Sequence, residues 1–208
     1  MIIDNQPALI ISLEESHLSK PESPFVISYL KKTAGYRVAM ITGDNEHSAV
    51  KVANHLGISR ENVVHSAYPW TKRDTVIAYQ KLGESVMFVG DGINDGPVLA
   101  QADIGVAINS ASEITVGAAD IVLMKDDLLD VVDAIRISQM SFRRIKINFV
   151  WAFLYNLILV PIAMGVFYPI DGFQLDPMFA GAAMALSSIS VVCSSLMLKM
   201  YKPIPRDV

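Results

Sequence analysis

The chain has 208 residues, a net charge of −4, a hydrophobic fraction of 52% and one cysteine. Cys193 alone excludes a disulfide framework and any Cys-pair metal site within these residues. Mild acidity with no basic stripe argues against nucleic acid as a partner. Residues 1–12 lack the charged start and long apolar core of a signal peptide, and the length suits one ordinary soluble domain plus a small membrane part.

In chain order, residues 8–12 (ALIIS) read as a short strand. Ser23 and Pro24 supply an N-cap followed by proline in the first turn, so a helix is expected over 25–32, stopping near Gly35. Residues 38–41 are apolar and read as a strand that runs directly into Thr42-Gly43-Asp44-Asn45. There Thr42 offers a hydroxyl and Gly43 a bare amide, while Asp44 or Asn45 can cap the next helix, 46–56. His47 and His55 lie eight positions apart on that helix, are not a ligand pair, and belong on the surface. Residues 62–65 form another short strand. Thr71 is expected to cap a helix that reaches Leu82 and stops at Gly83, with Lys72 in its first turn.

Residues 87–108, MFVGDGINDGPVLAQADIGVAI, organise the rest. The apolar run 86–89 reads as a buried strand, and Gly90-Asp91-Gly92 makes a tight turn with exposed amides. Asp91 and Asp95 flank Asn94 in one loop, Gly96-Pro97 opens a helix, and 104–108 is the next strand. Such a loop, between the carboxyl end of a strand and a helix start, is where α/β sheets hold phosphate and Mg²⁺. Hard carboxylate oxygens suit Mg²⁺, which keeps most of its waters. A helix over 112–119, a strand over 121–124 and a polar break at 125–127 follow. The alternation indicates a doubly wound parallel sheet, with Asp103 and Asp120 closing loops.

Composition changes after residue 128. Residues 128–146 are amphipathic and end in Arg143-Arg144-Ile145-Lys146. Residues 149–168 carry no charge over a length that spans a hydrocarbon core, 169–177 form a polar turn, and 178–198 are a second uncharged segment. Lys199, Lys202 and Arg206 follow, so basic residues flank the outer ends of the hairpin and acids sit between. The positive-inside rule then puts the α/β part and both outer ends in the cytosol and the hairpin in the lipid bilayer. Inside the spans, Tyr155 and Asn156 precede Pro161, and Met184 and Ser188 share one helix face. Polar groups there either glue helices together or line a pathway.

The run at 90–97 resembles the GDGxNDxP signature of P-type ATPases, within the haloacid-dehalogenase-like superfamily, with Gly96 in place of the usual Ala or Ser. TGDN at 42–45, Pro-x-x-Lys at 69–72 and Lys-Pro-Glu at 20–22 resemble the same family in the same order. Tyr-Asn on the first span and Met-x-x-x-Ser on the second are similar to its copper-transporting branch. The resemblance implies that Thr42, Gly43 and Lys72 contact the transferred phosphoryl group, with Asp44 in the same hallmark. It implies that Asp91 and Asp95 hold Mg²⁺ beside Asn94, and that Tyr155, Asn156, Met184 and Ser188 line a transmembrane Cu⁺ site. It further implies ATP as the energy source. The domains would be a partial phosphorylation domain at 1–127, a connecting helix at 128–148, a transmembrane hairpin at 149–198 and a cytosolic tail at 199–208. The expected fold is α/β, a partial Rossmann-like parallel sheet of haloacid-dehalogenase type with a two-helix hairpin.

Neither the DKTGT nucleophile motif nor a Cys-Pro-Cys helix occurs in these residues, nor do the family's nucleotide-binding and actuator segments. The leading expectation is therefore a C-terminal part of a Cu⁺-translocating pump that does not turn over ATP by itself. One alternative is a non-catalytic membrane protein that associates with the remaining domains of a full-length pump or with a copper chaperone. Another is a membrane-tethered phosphatase that uses Asp4.

Overall fold

The computed structural model describes residues 2–3, 6–7, 19–90, 93–108, 117–172 and 176–206. Packing divides the chain into two compact units, Met1–Val131 with Val208, and Val132–Asp207. The strand expected at 8–12, most of the helix expected at 112–119, and Asp4 and Asp91 lie outside the described residues.

The first unit is built from parallel ladders and helices. β1 (Ile2–Ile3) and β2 (Gln6–Pro7) form a small antiparallel pair. The helix expected from Ser23-Pro24 is α1 (Ser23–Ser28), extended by a wider helical turn over Tyr29–Thr33. Ser23 is not its cap: it is the first helical residue and is buried, and Glu22 precedes it without a side-chain capping bond. The Glu22 carboxylate instead accepts the Leu128 N–H at 3.3 Å. β3 (Met40–Ile41) pairs in parallel with β4 (Val63–Val64), and α2 (Glu46–Leu56) crosses between them. Of the two cap candidates it is Asn45 that serves, its side chain accepting the Ser48 N–H at 3.0 Å. Gly57 ends the helix at φ +66°, in the left-handed region.

α3 (Pro69–Lys81) begins two residues before the expected cap. Proline fixes φ for the first helical turn, so the helix starts at Pro69 behind Tyr68, and Thr71 is an interior residue whose carbonyl takes the Thr75 hydroxyl. β5 (Met87–Gly90), β6 (Ile104–Ile108) and β7 (Ile121–Leu123) form a second parallel ladder in the order β5-β6-β7. Strand β6 is central, and its Val106, Ala107 and Ile108 are buried with Val98 and Leu99 of α4 (Gly96–Leu99). α4 lies so close to β6 that a Cβ on Gly105 would stand 2.5 Å from the Leu99 carbonyl oxygen. Burial of Val98 and Leu99 contributes roughly 2 kcal/mol each, and this contact depends on a residue without a side chain.

In the second unit the amphipathic and uncharged stretches join without a break. They form one helix of 35 residues, α5 (Leu129–Ala163), whose first residues belong to the first unit. It ends at Ala163, five residues short of the expected span, because Pro161 removes one N–H and Gly165 turns the chain at φ +80°. A single turn, α6 (Tyr168–Asp171), leads to α7 (Pro177–Leu196), capped by the Asp176 side chain on the Met178 N–H at 2.8 Å. α5 and the segment Gly181–Met200 are each long and apolar enough to cross a membrane. Three side-chain bonds link the two long helices: Arg144 to the Ser194 hydroxyl at 3.4 Å, Asn148 to Ser195 at 3.1 Å and Trp151 to Ser190 at 3.1 Å. Near the start of α5, buried Asp133 accepts the Tyr201 hydroxyl and the Ile204 N–H, while Arg136 lies over the Tyr201 ring.

Candidate functional site

Three of the expected site segments in the first unit lie at carboxyl ends of parallel strands or at the helix that leads into one. Thr42 follows β3. Its hydroxyl donates to the Asp44 carboxylate at 2.7 Å and accepts the Asp44 N–H at 3.1 Å, so the pair forms a closed turn. The Thr42 backbone continues the β3–β4 pairing, its N–H donating to Val64 and its carbonyl accepting from Ala67. Gly43 and Asp44 are exposed.

Asp95 is buried just after β5, and its carboxylate meets Lys72 of α3 at 2.8 Å. The lysine side chain keeps 20% of its surface against 8% for Asp95, so the ammonium is the half of the pair that reaches outward. Gly90 makes this possible, since a Cβ there would lie 2.8 Å from an Asp95 carboxylate oxygen and 2.9 Å from the Phe88 ring. Strand, loop and α3 are thereby locked into one corner. Asn94 is exposed in the same short turn (Ile93–Asp95), and Asp91 is outside the described residues. Oxygen donors of this kind and the neighbouring lysine fit a Mg²⁺–phosphate pair better than a soft metal.

Asp103 and Asp120 close loops. Asp120 accepts the Gly105 N–H at 2.8 Å. Asp103 accepts the Val86 N–H at 2.8 Å and the Gln80 amide at 3.1 Å; the Val86 bond, then Gln80, hold its carboxyl below the usual carboxylate range, against a smaller opposing effect of burial. His47 and His55 are exposed.

In the second unit Tyr155 is half-buried, whereas Asn156, Met184 and Ser188 are exposed. Met184 and Ser188 are brought together, the Ser188 hydroxyl reaching the Met184 carbonyl at 3.4 Å. Asn156 turns back on its own helix and donates to the Ala152 carbonyl at 2.9 Å. Cys193 is exposed.

Three features near these residues escape a reading of the sequence. Tyr68 and Trp70 stack at 4.7 Å with planes 8° apart, both exposed, two residues from Lys72. The Gln101 amide donates to the Gln80 side-chain oxygen at 2.9 Å and the Gln80 amide to the Gln101 backbone carbonyl at 3.0 Å, which ties α3 to the end of α4. Ser190, Ser194 and Ser195 of α7 take partners on α5, for which the sequence signal is the recurrence of serine along one apolar segment.

The first unit matches family models described as haloacid dehalogenase-like hydrolase, over residues 2–103 and 74–135. The whole chain is 45% identical over 205 residues to the copper-transporting ATPase HMA5 of Oryza sativa, covering 95% of this chain and 20% of that protein. It is 49% identical over 172 residues to a probable copper-exporting P-type ATPase of Archaeoglobus fulgidus, covering 83% of this chain and 21% of the relative. Among solved structures, a zinc-transporting PIB-type ATPase in its E2.Pi state superposes with a TM-score of 0.71 at 26% identity, over 86% of this chain and 28% of that one. The class follows from the ladders and these matches: the α/β unit is a haloacid dehalogenase-like domain joined to two apolar helices of an integral membrane protein. Within that class the chain belongs to the family of copper-transporting P-type ATPases, as a partial C-terminal region of it, and spans about a fifth of the plant relative's length.

Proposed function

We propose that this chain supplies part of the phosphorylation domain and one transmembrane hairpin to a Cu⁺-translocating P-type ATPase. Residues 1–127 are the phosphorylation part, 128–148 the connection, 149–198 the hairpin and 199–208 the tail. The observation that carries this reading is the Lys72–Asp95 pair, with a buried carboxylate holding a partly exposed lysine beside Gly90. An ammonium fixed there stabilises the negative charge that spreads over phosphoryl oxygens in transfer. Asp95 orients the lysine, Thr42 and the Gly43 amide offer further polar contacts, and Asp44 holds the Thr42 hydroxyl. Asp91, with Asp95 and Asn94 ordering the same loop, would hold Mg²⁺, which neutralises phosphate charge when bound. ATP would be consumed by the complete pump, because the nucleophile motif does not occur in these residues.

Cu⁺ is the cargo. Met184 provides a soft thioether, and Ser188, Tyr155 and Asn156 provide oxygen and amide donors that complete its surroundings. The basic residues that flank the spans favour a cytosolic α/β part and cytosolic outer ends.

Titration of the purified chain in detergent with Cu⁺ against a chromogenic competitor tests the cargo assignment. Weak binding by wild type that falls at least tenfold in Met184→Ala is expected, about the worth of one good ligand contact. Equal binding by both proteins removes Met184 from the pathway, and none by either means that these residues form no Cu⁺ site without a Cys-Pro-Cys helix. Incubation with γ-labelled ATP is expected to leave no acid-stable, hydroxylamine-sensitive label on the chain, and such a label would overturn the division of labour proposed here.

A further inference from the structure

The two long helices meet along a seam. On α5 the half-buried residues Arg144, Asn148, Ala152, Tyr155 and Leu159 recur at intervals of three and four. On α7 Ala183, Ser187, Ser190 and Ser194 do the same. That spacing places each set on one stripe of its own helix. A seam of small residues alone tolerates sliding by one turn, since each position meets a chemically similar neighbour. This seam carries an asymmetric set of polar bonds at one end: Arg144 to Ser194, Asn148 to Ser195 and Trp151 to Ser190. A slide of one turn takes Arg144 from Ser194 to Leu198 and Asn148 from Ser195 to Lys199, so two of the three bonds are lost, while Trp151 meets Ser194 in place of Ser190.

Those bonds fix a depth relation further in. Carried inward by equal steps, the Arg144–Ser194, Asn148–Ser195 and Trp151–Ser190 pairings set Tyr155 level with Ala183, Ser188 and Leu186 respectively, a span centred between Met184 and Ser188. With a rise of about 1.5 Å per residue, Tyr155, Asn156, Met184 and Ser188 then fall within about 3 Å of one depth. A slip of one turn moves the two sets about 5.4 Å apart along the axis, more than twice a metal–ligand bond.

We propose that Arg144, Asn148 and Trp151, with Ser190, Ser194 and Ser195, are positioning residues that lock the register of the hairpin and so hold the residues of the transmembrane metal site at one depth. The lock rests on the reading of Met184 and Ser188 as part of that site, but the register itself is measurable without metal. In a Cys193→Ser chain, Leu159→Cys is paired with Ala183→Cys to report the native register, and with Ser187→Cys to report a slip of one turn. Oxidative cross-linking in detergent is expected to favour the 159–183 pair. Asn148→Ala and Ser190→Ala are each expected to shift the ratio of the two cross-links about threefold toward the slipped pair, the scale of one interhelical hydrogen bond in a membrane protein, whereas Trp151→Phe, which loses a serine partner in either register, is expected to leave the ratio unchanged. Ser190→Thr, which keeps the hydroxyl, is expected to restore the native ratio, which separates loss of the bond from loss of folding.

Cu⁺ titration of the same variants with the native leucine, alanine and serine at 159, 183 and 187 is expected to show affinity falling by the same factor. A cross-link ratio that stays unchanged in Asn148→Ala and Ser190→Ala overturns the lock. A ratio that shifts in a chain whose wild type binds no Cu⁺ supports the lock and overturns the metal assignment instead.

Discussion

The two units treat their polar residues in opposite ways. In the α/β unit the candidate site is finished from within: Asp95 is buried, its lysine is in place at 2.8 Å, and Gly90 and Gly105 let the loop and α4 come closer than any side chain would permit. In the hairpin, Met184, Ser188 and Asn156 stand exposed and bond only to their own helices, while the bonds between helices lie elsewhere along the seam. The first site is therefore coupled to the stability of its fold, and the second is almost free of it. A substitution in the first should register in unfolding, whereas in the second it should register only in binding.

That contrast can be broken at four points. The largest effect is expected for Gly105→Ala, where the new methyl would meet backbone rather than a movable side chain; a loss of about 3 kcal/mol is expected, read as faster amide exchange across β6. Next is Lys72→Met, which leaves the buried Asp95 carboxylate without its counter-charge. About 2–3 kcal/mol should be lost, at the lower end of such cases because the lysine is partly solvated, and Lys72→Met with Asp95→Leu should recover most of it.

Asp103 offers a smaller, pH-dependent handle. Its folded carboxyl titrates below the unfolded one, so its contribution is fully present above about pH 4 and disappears as the pH falls through the folded value. Asp103→Asn should accordingly lower stability at neutral pH and leave it little changed at low pH, which flattens the acid limb of a thermal-stability profile. Smallest of all, Asn156→Ala should alter stability by less than about 0.5 kcal/mol, since its side chain is exposed and its one bond is local. A large destabilisation there would erase the distinction between the units.

Legibility in the sequence followed the range of the forces involved. The helix 46–56, the stop at Gly83, the strand 104–108 and the helix start at Gly96-Pro97 come from local rules, and the structure has each of them. Thr71 was the natural cap by residue type, yet proline at 69 starts the helix earlier because a fixed φ outweighs a missing side-chain bond. The change from amphipathic to uncharged sequence near 148 suggested two elements, but solvent preference changes along a helix without any change in its backbone. The Lys72–Asp95 contact was legible only as two members of one site, since a separation of 23 residues carries no local signal of touching. Gly105 was invisible for the same reason, because its need for a bare backbone is set by α4 and not by its neighbours in sequence.

The contact of Tyr201 and Ile204 with Asp133 also has a meaning in time. Tyr201 lies 68 residues after its partner. At about 5–20 residues per second, a ribosome leaves Asp133 without its phenol for roughly 3–14 seconds. Throughout that interval the start of α5 has been made, both apolar segments are being handed to the membrane, and the carboxylate must be satisfied by water. Closure of the contact is thus a late event in the birth of the chain, one that reports that the second helix has been made and has returned.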